Sequence, residues 1–166
     1  MALKNVEVCE MQDAKTILSI LNQKSIGDKQ FIFDRLYRNM FNFDFFMDAY
    51  RKMYANPGNM TPGVDGKTID CFKKSKVENL ISKLRNEQYY PTSVRRKYIP
   101  KKNSRKKKRP LGIPSFEDKL VQEVVRKILE TIYEPLFLDT SHGFRPNRSC
   151  QTALFQVKAL AGERNG

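Results

Sequence analysis

The stretch Arg95-Arg96-Lys97-Tyr98-Ile99-Pro100-Lys101-Lys102-Asn103-Ser104-Arg105-Lys106-Lys107-Lys108-Arg109-Pro110-Leu111-Gly112-Ile113-Pro114 decides how this chain is read. Ten Lys or Arg residues and no acid lie between Arg95 and Arg109, so this window holds +10 of the formal charge of +13 and leaves +3 for the rest. A chain that needed charge only for solubility would spread it; here it is concentrated. Val94, Tyr98 and Ile99 lie before the densest cations, and Leu111 and Ile113 follow them. Two short extended arms around the polar turn candidate Lys102-Asn103-Ser104-Arg105 predict a β-hairpin with a cationic tip, its arms pinned by those apolar residues. Pro100, Pro110 and Pro114 limit ladder pairing, which predicts an edge or irregular ribbon. Cations held at fixed positions suit phosphate groups, arginine binding them bidentately and lysine as a point charge. A nuclear-localisation segment, a membrane-surface patch and a solvated loop are the other uses of such a run, and charge alone does not separate them.

Working outward, Ser115-Phe116-Glu117-Asp118 forms a Ser-x-x-Asp capping box at the start of a helix of about 18 residues. Leu120, Val121, Val124, Ile128, Leu129 and Ile132 make its apolar stripe, and Pro135 marks its approximate end. Ser149 then caps a last helix through Ala161. On the other side of the basic window, Val77, Leu80, Ile81 and Leu84 share one face of a helix over 75–86. The segment from Asn56 to Gly66 concentrates Pro, Gly, Asn and Asp-Gly and reads as a loop. A long helix is predicted over 31–54, with Leu36, Met40, Phe43, Met47, Tyr50 and Tyr54 as its stripe and Phe33, Tyr37, Phe41 and Phe45 beside it. Because that period is helical throughout, the aromatics are read as core rather than as a base-stacking platform. A short helix over 13–21 and a polar linker over 22–29 complete the chain. The domain division is therefore an N-terminal extension over 1–30, partly flexible, and a single unit over 31–166.

The composition limits the chemistry. With 166 residues there is room for one ordinary domain, and 40% hydrophobic residues suffice to pack it. A surplus of +13 favours polyanions, of which nucleic acid is the commonest soluble one. Cys9, Cys71 and Cys150 are far apart and odd in number, and His142 is the single histidine, so close ligands for zinc are lacking. Free thiols, the absence of a signal-like N-terminus and the absence of a long apolar run point to a cytoplasmic chain without a membrane span. Nucleotidyl transfer by two metals needs converging carboxylates. None of the nine aspartates stands in a paired setting, and the adjacent Glu117 and Asp118 are read as helix-capping residues. No catalytic residue and no metal ligand is assigned.

Three blocks resemble one family. Arg95 through Pro114 looks like the first conserved block of group II intron-encoded reverse transcriptases; Pro62-Gly63-Val64-Asp65-Gly66-Lys67-Thr68 resembles the block before it. Ser141-His142-Gly143-Phe144-Arg145-Pro146-Asn147-Arg148-Ser149-Cys150 resembles the block after it. They stand in the family's order, and the likeness is to bacterial members of the mitochondrial-like lineage, which act as splicing maturases and as reverse transcriptases. The resemblance implies an α+β, mostly helical fingers subdomain of a right-hand polymerase, with a basic β-hairpin folding over the incoming nucleotide. It implies nucleotide contacts from Arg109 and from Lys101 or Lys102. It implies RNA contacts from Arg95, Arg96, Lys97, Arg105, Lys106, Lys107 and Lys108, and places Arg145 and Arg148 near the template path. The loop from Gly63 to Gly66 would help enclose template and primer. Group II intron RNA, an RNA template with its DNA primer and a dNTP are the implied partners, and magnesium the implied cofactor of the whole protein. The family's catalytic aspartates match nothing within these residues, so the chain is expected to be truncated before them and to bind without polymerising.

Two other readings remain open at this point: a stand-alone basic RNA-binding splicing cofactor, and a piece of a retron or defence-associated reverse transcriptase. The intact block Lys108–Pro114 argues against the first, because its Gly-Ile-Pro arm is unnecessary for generic phosphate binding.

Overall fold

The computed structural model describes residues 12–101 and 104–162. It is mixed helix and strand: α1 (Ala14–Gly27), α2 (Leu36–Asn39), α3 (Phe43–Tyr54), α4 (Lys74–Arg85), β1 (Arg95–Lys101), β2 (Ser104–Ile113), α5 (Phe116–Tyr133) and α6 (Cys150–Gly162). Short 3₁₀ turns lie at Ile69–Cys71 and Glu134–Leu136. The α+β, mostly helical expectation holds.

The core is built on α5. Its stripe of Phe116, Leu120, Val121, Val124, Ile128 and Ile132 is buried, and α1 and α3 pack against it. Phe45, Phe46 and Ala49 supply the facing side of α3, and Val77, Leu80, Ile81 and Leu84 bury the matching face of α4. The capping box at the head of α5 forms as the sequence predicts, with the Ser115 hydroxyl oxygen accepting from the Asp118 N–H at 3.2 Å. Leu129, assigned to the α5 stripe, is largely solvent-facing at 41% exposure.

Two helix boundaries differ from expectation. The single helix predicted over 31–54 is two pieces. Asn42 lies within the apolar stripe but caps α3, its side-chain oxygen accepting from the Asp44 N–H at 2.8 Å while its amide donates to the Gln12 carbonyl at 2.7 Å. Residues 31–35 are not helical, and Arg35, with φ of 57°, lies just before the start of α2. The stripe is therefore cut before Phe43, and Tyr54 at its far end is exposed. The other difference is at α1, which runs to Gly27 across the stretch whose composition reads as a linker. Ser25 donates to the Ile132 carbonyl at 2.5 Å and Asn22 to the Thr131 carbonyl at 3.3 Å. Both acceptors lie in the last turn of α5, whose carbonyls lack helical partners. Polar side chains thus continue α1 because they close the end of α5.

Leu120 and Ile128 are 1% and 4% exposed. Leu120→Ala or Ile128→Ala is expected to cost about 2–5 kcal/mol by opening a cavity. Chemical unfolding checks this, and an unchanged midpoint for either variant would remove α5 from the centre of the core.

Candidate nucleic-acid interface

β1 and β2 pair antiparallel, in register from Arg95 opposite Ile113 to Pro100 opposite Lys108, with a shift between Pro100 and Lys101. Directly opposed residues share a face of the ribbon. One face therefore carries Arg95, Lys97, Ile99, Arg109, Leu111 and Ile113, and the other carries Arg96, Tyr98, Pro100, Lys108, Pro110 and Gly112. Both faces are cationic. Arg95, Arg96, Lys97, Lys101, Lys106, Lys107, Lys108 and Arg109 are all exposed. Lys102 and the side chain of Arg105 lie outside the described residues.

The way this ribbon is held corrects the sequence reading. Of the apolar residues expected to pin its arms, only Ile113 is buried, at 7% exposure; Val94, Tyr98 and Leu111 are exposed. The root of the hairpin is held by a polar knot around Asp118, 3% exposed. Its carboxylate accepts from the Tyr89 hydroxyl, from the Thr92 N–H at 3.1 Å and from the Ser115 hydroxyl at 2.7 Å. Tyr89 and Thr92 belong to the strand approach, Ser115 to the strand exit, so one carboxylate ties both arms to the start of α5. Burial raises the Asp118 pKa, yet the hydrogen bonds from Tyr89, Ser115 and Thr92 outweigh it and hold the carboxyl below its usual range. Burial, with the Asp118 hydrogen bond second, pushes the Tyr89 hydroxyl well above its ordinary range, so it stays a donor.

The loop from Pro62 to Gly66 is packed against the same junction. A side chain on Gly63 would meet the Ser115 Cα at 2.6 Å and the Pro114 carbonyl at 2.8 Å, so only glycine allows this approach. Lys119 donates to the Thr61 carbonyl at 2.9 Å, and Lys67 faces Glu117 at 3.5 Å. Two of the three blocks singled out in the sequence therefore meet at the hairpin root.

The third block, 141–150, behaves differently. Arg145 donates twice to Glu134, at 3.0 and 2.9 Å, and to the Leu138 and Ser141 carbonyls at 2.9 and 2.8 Å, with its guanidinium over the Phe137 ring. Its side chain is 9% exposed, and every guanidinium nitrogen is engaged inside the protein. Arg148 is more open, reaching Asp139 at 3.3 Å. His142 bridges Thr152 and Gln156 on α6 through its two ring nitrogens, which fastens the loop to that helix. With Arg145 folded inward, Phe144 is turned fully outward at φ 57°. Tyr89 and Thr92 were not legible as site residues: no local pattern links Tyr89 to a carboxylate 29 positions later. Among the described residues, no group of three His, Cys, Asp or Glu could hold a metal ion, and no helix is long and apolar enough to cross a membrane.

Fold and interface together define a helical module that presents a pinned, doubly cationic hairpin. No family model matches the chain. It is 49% identical over 152 residues to the group II intron-encoded protein LtrA of Lactococcus lactis subsp. cremoris, covering 92% of this chain and 25% of that protein. It is 43% identical over 149 residues to an uncharacterized 91 kDa protein in the cob intron of Schizosaccharomyces pombe, covering 87% and 18%. Over a shorter stretch of 46 residues it is 41% identical to nuclear intron maturase 1, mitochondrial, of Arabidopsis thaliana, covering 28% of this chain and 6% of that protein. The chain is a homologue of the group II intron-encoded proteins, and spans a quarter or less of the length of these relatives.

Asp118→Asn keeps the shape of the knot but removes the charge and puts an NH2 donor in place of one accepting oxygen, facing either the Tyr89 hydroxyl or the donors Thr92 and Ser115. It is expected to cost about 1–3 kcal/mol at pH 7. A carboxyl whose folded pKa is depressed stabilises above its unfolded pKa, ~3.9, and loses that contribution as pH falls through the folded value. The gap between parent and variant should therefore narrow in urea unfolding at pH 3. A gap that stays the same at both pH values would mean the carboxylate charge is not what anchors the hairpin.

Proposed function

We propose that this chain is the RNA-gripping fingers portion of a group II intron reverse transcriptase and maturase. The observation that carries the reading is the juxtaposition at the hairpin root: the two sequence blocks that resemble that family's are packed against each other where Gly63 meets the Pro114–Ser115 backbone. Exposed cations on both faces of one anchored ribbon offer a phosphate chain several contacts in fixed register. In this reading Arg95, Arg96, Lys97, Arg105, Lys106, Lys107 and Lys108 bind RNA backbone. Lys101, Lys102 and Arg109 bind the triphosphate of an incoming dNTP in the whole protein, over an RNA template and its DNA primer. Arg148 faces the template path, and Arg145 shapes that loop from within. Magnesium would serve the whole protein, and no catalytic step is assigned to these residues. In this reading these 166 residues alone bind RNA and do not polymerise, and the whole protein assists intron splicing.

The test is a titration of the chain, at several salt concentrations, against structured group II intron RNA and a random RNA of equal length. A preference of about tenfold that survives at high salt is expected, about 1.4 kcal/mol. Replacing Lys106, Lys107 and Lys108 by Gln should flatten the salt dependence by about 2 units of slope, at ~0.7 per phosphate contact. Equal affinities that collapse together with salt would reduce the hairpin to a generic phosphate clamp and contradict the maturase reading. An unchanged slope would mean that the tip does not face RNA.

A further inference from the structure

Away from the hairpin, a groove of about 740 Å³ opens between α1, the chain around α2 and the end of α4. One wall is apolar, formed by Ile17, Ile20 and Phe41. Arg35, Arg38 and Arg85 also line it, against the single carboxylate of Asp34. All three arginines are exposed, and none forms an ion pair among the described residues. Arg85 is the most defined of them, with its guanidinium 5.6 Å from the centre of the Phe41 ring; that ring is buttressed edge-on by Tyr37 at 5.3 Å. A guanidinium lying over an aromatic ring keeps its fork of donors while gaining a fixed plane.

The helix-terminal positions of Arg38 and Arg85 explain why cations are tolerated there. They do not explain why a third arginine, in the left-handed conformation at φ 57°, lines the same concavity with no ion-pair partner among the described residues. An apolar wall beside three exposed arginines matches a ligand that is flat and apolar on one part and anionic on the other. A nucleotide in a duplex cannot offer its base to such a groove, whereas an unstacked one can.

We propose that this groove is a second RNA site, which takes one unstacked nucleotide with its base against Ile17, Ile20 and Phe41 and its flanking phosphates on Arg35, Arg38 and Arg85. This rests on the RNA-binding reading of the chain and adds to it a site that reads RNA shape rather than charge alone.

The experiment compares two fluorescent RNA stem-loops of equal length and charge, one fully paired in its stem and one carrying a single bulged nucleotide. Their binding is measured by anisotropy with the full chain. The parent should prefer the bulged RNA by about tenfold, the scale of one stacked base. Replacing Arg35, Arg38 and Arg85 by Gln should erase that preference and lower the salt slope on bulged RNA by about 2, with the paired stem bound as before. Unchanged melting would confirm that the variant folds; if it does not, Arg38→Gln alone should lower the preference in part. A parent with no preference, or a preference that survives in the folded variant, would overturn the groove while leaving the hairpin reading intact. If an acidic peptide displaced both RNAs equally well and the variant lost only the peptide, the groove would belong to a protein partner. No RNA binding by the parent would overturn both readings.

Discussion

One buried carboxylate holds the working surface of this protein in place. A two-stranded ribbon is marginal by itself in water, and this one also carries a concentration of like charge that works against compactness. Apolar packing does little to oppose that, since Ile113 is the only buried arm residue among the described ones. Asp118 does the rest. By accepting from Tyr89, Thr92 and Ser115 it joins the chain entering β1, the chain leaving β2 and the first turn of α5. The helix carrying Asp118 is also the centre of the core, so the hairpin is referenced to the most buried element of the fold.

The same economy recurs at the other end of α5. Ser25 and Asn22 close its last carbonyls and thereby fasten α1. Arg145 closes the carbonyls of the following loop and pairs with Glu134, just beyond the end of α5. Buried polar groups satisfied in this way specify geometry more than they add stability. The consequence for function is that cations divide into two kinds. Those of the hairpin are outward and available, whereas Arg145 is consumed in shaping a loop that turns Phe144 to solvent.

This division marks where the sequence could be read and where it could not. α5 was legible because its cap and its apolar stripe are both local patterns, and the hairpin was legible because its charge and its flanking prolines are. The break before α3 was hidden because Asn42, the cap, sits inside an otherwise continuous apolar period. The second half of α1 was hidden because its polar residues acquire partners only from α5, more than a hundred positions away. On the hairpin, the exposure of the lysines follows from their density in the sequence. Arg145 looked the same as they do, because nothing in its neighbours shows that a glutamate and two carbonyls will enclose it. The anchor was half-legible: Asp118 was recognised as a capping residue, but its bonds to Tyr89 and Thr92 arise only in three dimensions.

The measurement that bears most directly on this account is RNA affinity of the full chain with Asp118→Asn, under conditions where parent and variant are both folded. If the carboxylate fixes the cations in register, affinity should fall several-fold while the salt slope stays the same, because no cation has been removed. Equal affinity would contradict the account, showing that the hairpin binds as a loose basic tail for which the knot at its root is irrelevant.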